Sequence, residues 1–511
     1  MAHVSWCSKI NDIPLKNLFF TSAKRSQYRF VVVLLFFVIA ICGFLGEKVA
    51  REDGAGWDGV TYREMARSAV EDIPDRAYSA YQLQRVAPFA LINWAYRAFS
   101  LPLDNDSLMY GMVLLQLLAM GCAIWIYFKI SDRLSLSVAA ELLGFALLFY
   151  NYPCLKYVEY YPFLTDIFAY QISLLFFYFF LTGRRVWLLL SALVGAFVWP
   201  TLFGIGITLA LLPAIPFDLS SDKPLSKAGK WFLRLLRIGA LAGIPVLLGA
   251  IYYMAVVGKK HASLKDLFWC TDYGSPLLLV LSLLATSLFL FELTRSFRFD
   301  IKELAEKVKK EITPRVLISL LGVFLIPKLL IGWLDNGDTG WDFPHMLLQT
   351  VLRSVTAPGV FLVNHFVFYG LIPVFLILYW RPFVRAVSRY GMAYWLILAE
   401  FIFLSVNSES RYLIYLLPFI ALPLLQILDR EKWLAEIVVP VALFSLLKSM
   451  FWFPINVEGI SESFLAGNYG AFPAQRYFMM HGPWQNHAMY LLFGVLALGV
   501  YFGIRSFINR R

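Results

Sequence analysis

Three charged side chains stand where an apolar chain rarely carries them. Asp58 lies in GWDGVTYREMA, Asp166 closes YYPFLTD, and Arg411 precedes the apolar run in SESRYLIYLLPFI. A carboxylate beside a hydroxyl can take its proton as the oxygen attacks, and a guanidinium can grip two phosphate oxygens at once. The neighbouring stretches add Tyr62, Arg85, Lys156, Glu159 and Tyr412 as further donors and charges for a substrate. Each also has a plainer reading. An acid near a helix N-terminus gains about 0.3–1 kcal/mol from the helix dipole, which accounts for Asp58 taken alone. Asp166 could cap the helix it begins, and an interfacial arginine can snorkel. Taken together, two carboxylates and a guanidinium suit a substrate with a lipid tail, a phosphate and a sugar.

The elements that carry these residues follow from composition. The 511 residues are 59% hydrophobic and only 15% charged, where a soluble chain has about 25% charge. Apolar runs near the 17–25 residues that cross a bilayer recur from end to end. We read them at 31–46, 108–129, 136–150, 164–183, 186–199, 200–216, 234–257, 276–294, 315–334, 359–380, 391–407, 411–428, 433–453 and 487–504. The expected fold is therefore all-α, a polytopic integral membrane protein of about 14 spans (range 11–14), with 1–511 as a single membrane domain.

Sidedness rests on lysine and arginine, which are retained in cytoplasmic loops. With the segment 1–30 inside, the inner segments hold 29 of the 45 basic residues. Both termini then lie in the cytoplasm, and the net charge of +11 serves orientation and anionic lipid contact, with no nucleic acid partner required. Asp58, Asp166 and Arg411 converge on the outer face, where Arg411 opposes both the positive-inside rule and the dipole of the helix it opens.

The first outer loop, 47–107, has internal order. Thr61 and Glu64 have capping-box spacing, so a helix is expected from Tyr62 to Ile73, its apolar face on the membrane. Gln84–Leu101 is a second surface or shallow helix. At 295–315, FDIKELAEKVKKEI has the apolar period of an interfacial helix on the cytoplasmic side. The last outer loop, 454–486, and the one near 335–356 contain Asp338, Asp342, His345 and His481, which could touch an acceptor. There is no glycine-rich phosphate loop, no metal-ligand spacing and no internal repeat, which disfavours a nucleotide-driven pump.

On these stretches, together with QRVAPFALINWAYRAFSL and GRRVWLLLSALVGAFVWPTLFGIGI, the chain resembles the polytopic GT-C glycosyltransferases over about residues 30–430. Those enzymes use polyprenyl-phosphate sugars as donors. The resemblance implies an inverting transfer to a glycan or lipid acceptor at the periplasmic face of a bacterial inner membrane. Asp58 would be the general base, and Arg411, supported by Lys156 or Arg85, would hold the leaving phosphate. Asp166 would orient the acceptor or help bind a divalent cation such as magnesium or manganese. The family often pairs two acidic residues in this loop, whereas here Glu52 and Asp53 stand apart from Asp58. A lipid-linked polysaccharide polymerase or ligase would use the same chemistry. A lipid-linked saccharide flippase is the third reading, favoured by the VWPTLFGIG break.

Overall fold

The computed structural model describes residues 22–511 except 50, 51, 57, 214, 216, 221–223, 244–275 (of which 246 and 249 are described), 339–349, 351–353, 356 and 457–486. Among the described residues the elements are helices and turns, with one isolated parallel bridge between Ser220 and Arg298. The first half contains α1 (Ser22–Phe44), α2 (Asp58–Asp72), α3 (Ala80–Leu83), α4 (Ala87–Ala98), α5 (Asn105–Leu134), α6 (Val138–Phe149), α7 (Val158–Tyr160), α8 (Asp166–Thr182), α9 (Arg185–Gly195), α10 (Leu202–Leu211) and α11 (Lys227–Ile238). The second contains α12 (Pro276–Arg295), α13 (Ile301–Glu311), α14 (Pro314–Leu334), α15 (Val360–Tyr369), α16 (Ile372–Leu378), α17 (Trp380–Val387), α18 (Met392–Leu404), α19 (Leu417–Leu428), α20 (Leu434–Lys448) and α21 (His487–Asn509).

Six described stretches are long and apolar enough to cross a membrane: Arg25–Phe44, Asn105–Leu134, Leu277–Arg295, Pro314–Leu334, Ser410–Leu428 and Tyr490–Asn509. Val138–Phe149 with Pro153–Tyr160 makes a further pair bent by 48°. Their exposed faces are leucine, valine, phenylalanine and tryptophan, the surface a bilayer accepts and water does not. This is the build of a multi-pass membrane protein.

The apolar runs at 186–199 and 200–216 differ from expectation. They form helices of 11 and 10 residues, about 16 Å each against a hydrocarbon core of about 30 Å, so neither crosses alone. They fold back as a hairpin: Gly206 lies against Ala192, and Gly195 against Leu202. A Cβ on Gly206 would overlap the Ala192 Cβ, so only glycine lets the two backbones approach this closely. The hairpin tip carries Trp199. At the centre, α8 and α19 are buried along most of their length and pack on each other.

The bundle has two distinct ends. At one, Arg25 and Arg29 of α1 close on the fully buried Glu141 at 2.5 and 2.6 Å, and Ser137 binds Asp429. Arg511 pairs with Glu436 at 2.5 Å. At the other end, Glu47 just beyond α1 accepts the Asn456 N–H at 2.7 Å, and Asp335 beyond α14 accepts the Ala80 N–H at 2.8 Å. Asp58 lies at this second end.

The first loop also corrects two expectations. Helix α2 begins at Asp58, not at Tyr62, so Thr61 lies within it and caps nothing. Its apolar face does not lie on the membrane. Tyr62, Met65, Ala66 and Ala69 are buried against α4, and the Tyr62 and Phe89 rings stack at 4.9 Å. The fully buried Asn93 fastens the pair, donating to the Ala66 and Arg67 carbonyls and accepting from the Val70 N–H. Arg63 is buried as well and donates to the Glu52 carbonyl at 2.9 Å. At 12 residues α4 is too short to span, as its reading as a shallow helix required, and Leu91 and Trp94 face outward. The amphipathic helix between 295 and 315 is present as α13, capped by Asp300.

Candidate active site

The approach to Asp58 is set by backbone that few side chains tolerate. Gly54 and Gly56 have φ of +83° and +73°, and a Cβ on Gly56 would sit 2.5 Å from the Tyr161 ring. Both positions need glycine. Tyr161 fills the notch, and its hydroxyl accepts the Gly59 N–H at 3.1 Å. This contact places the first turn of α2 against the segment that leads to α8. Glu52 and Asp53, upstream, are exposed, and Asp53 accepts from Asn105.

Asp58 Oδ2 lies 3.7 Å from Arg411 Nη2. Arg411 Nε donates to Glu409 Oε1 at 2.5 Å, and the guanidinium also meets the Tyr157 hydroxyl. Glu409 is 2% exposed and Arg411 23%, while Asp58 at 40% remains open to the surroundings. Asp166, in the first turn of α8, is 2% exposed; the charges acting on it are Arg411, Asp58 and Arg85, and its Oδ1 has no hydrogen-bond partner. A buried acceptor left open is costly unless a ligand donor completes it. Arg85 lies 3.7 Å over the Tyr81 ring and 5.6 Å from that of Trp199, which in turn meets Tyr415. Tyr62 faces Arg85, Tyr81 and Asp58, and burial pushes its phenol well above 10, so it is a neutral donor. Tyr412 lies with its ring 5.7 Å from the Arg411 guanidinium.

Thus Asp58, Tyr62, Arg85, Asp166, Arg411 and Tyr412, from four remote stretches, come together. Lys156 and Glu159 do not join them. Between α6 and α7 the backbone makes a π-turn, Pro153–Tyr157, whose wider winding shifts the side-chain register. Tyr157 consequently faces Arg411, while Lys156 pairs with Glu47 at 2.9 Å. Glu159 is 2% exposed, without a hydrogen-bond partner for either oxygen, and lines a separate cavity of about 360 Å³ beside Gly43. Nearby Lys48 caps α1 by donating to the Phe44 carbonyl at 2.6 Å, and burial lowers its ammonium to about 8.

Sequence reasoning missed the residues that aim Arg411. From α15, Asn364 donates to the Ser408 carbonyl, and Tyr369 donates to that of Ser410. His365 Nε2 donates to the Ser405 carbonyl at 2.8 Å while its Nδ1 accepts from the Ser410 hydroxyl at 2.9 Å. These bonds fix the turn that presents Glu409 and Arg411. A signal for them exists in the sequence: Asn364 and His365 stand inside an apolar run, where polar side chains are expensive and face the protein interior. Asp342, His345 and His481 lie outside the described residues; Asp338 is exposed and accepts from Asn336.

The residues fit a divalent cation poorly. Among the described residues no group of three acidic, histidine or cysteine side chains comes within metal-binding reach. Arg411 already supplies positive charge to both carboxylates. No protein-family model, curated protein or solved structure matches the chain.

Proposed function

We propose that this chain is an inverting membrane glycosyltransferase that moves a sugar from a polyprenyl-phosphate donor to a glycan or lipid acceptor. The observation that carries the reading is the convergence of Asp58, Asp166 and Arg411, with the Asp58–Arg411 contact at 3.7 Å. Asp58 accepts the proton of an acceptor hydroxyl as its oxygen attacks the anomeric carbon. The bond from that carbon to the phosphate oxygen breaks, and the phosphate leaves with the electron pair. Arg411 stabilises it with paired hydrogen bonds, assisted by Arg85. In the resting site Arg411 is shared between Glu409 and Asp58. A donor phosphate draws the guanidinium toward itself, leaving Asp58 free as a base only when donor is bound. The open Oδ1 of Asp166 receives a hydroxyl of the sugar or acceptor. No step is routed through a metal.

The topology belongs to the same reading: a GT-C-like chain of fourteen apolar segments in a bacterial inner membrane, termini cytoplasmic and Asp58 periplasmic. Counting the α9–α10 pair as one re-entrant hairpin removes two crossings, so every other loop keeps its side. Reporter fusions at 80 and 305 should respond from opposite faces.

The test is transfer of labelled sugar from a polyprenyl-phosphate donor by purified protein in lipid. Asp58→Asn should lower turnover about 10²–10⁴-fold, the contribution of a general base. Unchanged turnover would remove Asp58 from the mechanism. Vectorial movement of the lipid without transfer would identify a flippase instead.

A further inference from the structure

Lys156 and Glu159, which stand apart from the Asp58 centre, share a cavity of their own at the same end of the bundle. It measures about 360 Å³ and lies between the end of α1, the π-turn with α7, and the segment 451–454. Three hydrogen bonds tie its walls together: Glu47 accepts from Lys156 at 2.9 Å, from the Ile455 N–H at 2.5 Å and from the Asn456 N–H at 2.7 Å. Lys48 is committed as well, donating to the Phe44 and Gly46 carbonyls at 2.6 and 3.2 Å.

Glu159 is left over. Lys156 and Lys48 are the cations whose fields reach it, yet neither donates to it, and both its oxygens are buried beside Gly43 without a hydrogen-bond partner. Protonation would not cure this, because a carboxylic acid still has a hydroxyl to donate and a carbonyl oxygen to satisfy. Lys156 has capacity to spare: of three ammonium hydrogens one goes to Glu47, and the head otherwise faces the Tyr160 ring at 5.8 Å. One cavity thus holds two open acceptor oxygens and an ammonium with unused donors.

The rest of the lining is apolar, namely Ile39, Phe451, Trp452, Phe453 and Pro454, and Trp452 is 56% exposed. Water needs polar partners on several sides and gains little from such walls. On α1, Val38, Ile41 and Leu45 recur at helical spacing beside the lining residues and are exposed, a strip of hydrocarbon leading to the cavity. An occupant must bring donors for Glu159, acceptors for Lys156 and an apolar body.

We propose that this cavity binds the headgroup of a zwitterionic phospholipid with a primary amine. The lipid ammonium donates to Glu159, whose carboxylate, the far end of a flexible side chain, turns from Gly43 to meet it. The lipid phosphate accepts from Lys156, and the acyl chains lie along Trp452 and the exposed strip of α1. An anionic headgroup without the amine would leave Glu159 unpartnered, and a quaternary ammonium has no N–H to give it. The site is separate from the sugar-transfer centre and does not depend on that assignment.

The experiment measures lipid adducts by native mass spectrometry on the full chain in mild detergent. Phosphatidylethanolamine, its N,N-dimethyl derivative, phosphatidylcholine and phosphatidylglycerol are compared with the same acyl chains, beside soluble phosphoethanolamine. Retention should be strongest for phosphatidylethanolamine, fall as methyl groups replace N–H, and be lowest for phosphatidylcholine; phosphatidylglycerol and phosphoethanolamine should not match the amine lipid. Glu159→Gln should weaken phosphatidylethanolamine binding at least about tenfold, the worth of one charge-assisted hydrogen bond, and leave phosphatidylcholine unchanged. Its thermal midpoint without lipid should not fall, because the carboxylate it replaces has no partner in the fold, and this separates lost binding from misfolding. The methyl series uses the unaltered chain and needs no variant. Equal retention across that series, equal retention of phosphatidylglycerol, a matching response to phosphoethanolamine, undiminished binding by the glutamine variant, or a cavity that retains none of these lipids and holds water only would each overturn the proposal.

Discussion

Replacing Arg411 by lysine keeps the charge and removes the fork, and that distinction tests how the centre works. The guanidinium makes several contacts at once: Nε to Glu409 at 2.5 Å, Nη2 to Asp58 at 3.7 Å, and a bond to the Tyr157 hydroxyl. Lysine offers a single nitrogen, which the nearly buried Glu409 would capture first. The donor phosphate then loses at least one charge-assisted hydrogen bond, about 1.5–3 kcal/mol. That is roughly 10–150-fold in kcat/KM. Arg411→Gln should be worse, because the buried Asp166 and Glu409 lose a shared cation; breaking such a buried pair costs up to about 3 kcal/mol once the partial exposure of Arg411 is allowed for. Steady-state transfer in lipid nanodiscs, with thermal midpoint recorded alongside, separates the two variants: lysine should fold normally and turn over slowly, glutamine should lose both stability and turnover. If the lysine variant runs within twofold of wild type, the fork does not hold the leaving phosphate. If the glutamine variant stays active, Arg411 has no part in the chemistry.

Three further outcomes follow from the packing. A Cβ on Gly43 would overlap the Glu159 carboxylate, the far end of a flexible side chain that lines a cavity, so Gly43→Ala should displace that carboxylate at the low end of the overpacking cost, about 1 kcal/mol read from the thermal midpoint, and Glu159→Ala in the same chain should remove the effect. Glu141→Ala leaves Arg25 and Arg29 without their buried acceptor and should destabilise by up to about 3 kcal/mol, the upper range discounted because both arginines keep some solvent contact; Glu141→Gln should cost less. Burial alone would raise the Glu47 carboxyl, but the Ile455 N–H, Lys156 and the Asn456 N–H outweigh it and hold it below 4.5. Its ionisation therefore stabilises the fold above pH 4.5 and ceases to do so as pH falls through the lower folded value; Glu47→Gln should flatten that acid limb of the midpoint-versus-pH curve.

Much of the candidate centre is legible in the amino-acid sequence alone. Asp166 and Arg411 violate rules that act on each residue separately, namely the cost of charge in hydrocarbon, the helix dipole and the loop bias of cations, whereas Asp58 obeys the dipole rule and stands out only in their company. Such costs arise locally along the chain, so an exception is visible in one dimension. The helical class and the multi-pass build are legible for the same reason, since apolar transfer energy accumulates along a run of residues. The interfacial helix at α13 needs only its own periodicity.

Direction and partnership are a different matter. Lys156, Tyr157 and Glu159 are near neighbours in sequence, yet a π-turn sends Tyr157 to Arg411 and the other two to the end of α1. A helical face turns about 100° per residue, so one extra residue in a turn reassigns every contact after it. The apolar face of α2 has the pattern of a membrane anchor because amphipathicity reports only that a face is covered, and the cover is α4. Helix length is settled the same way: the runs at 186–199 and 200–216, each read as a span, form two short helices that fold back on each other because Gly195 and Gly206 let them pack closely. Residue types and their order along the chain establish which groups are too costly to stand alone. Which of those groups meet is settled in three dimensions, because meeting depends on rotation, register and close packing between segments far apart in the chain.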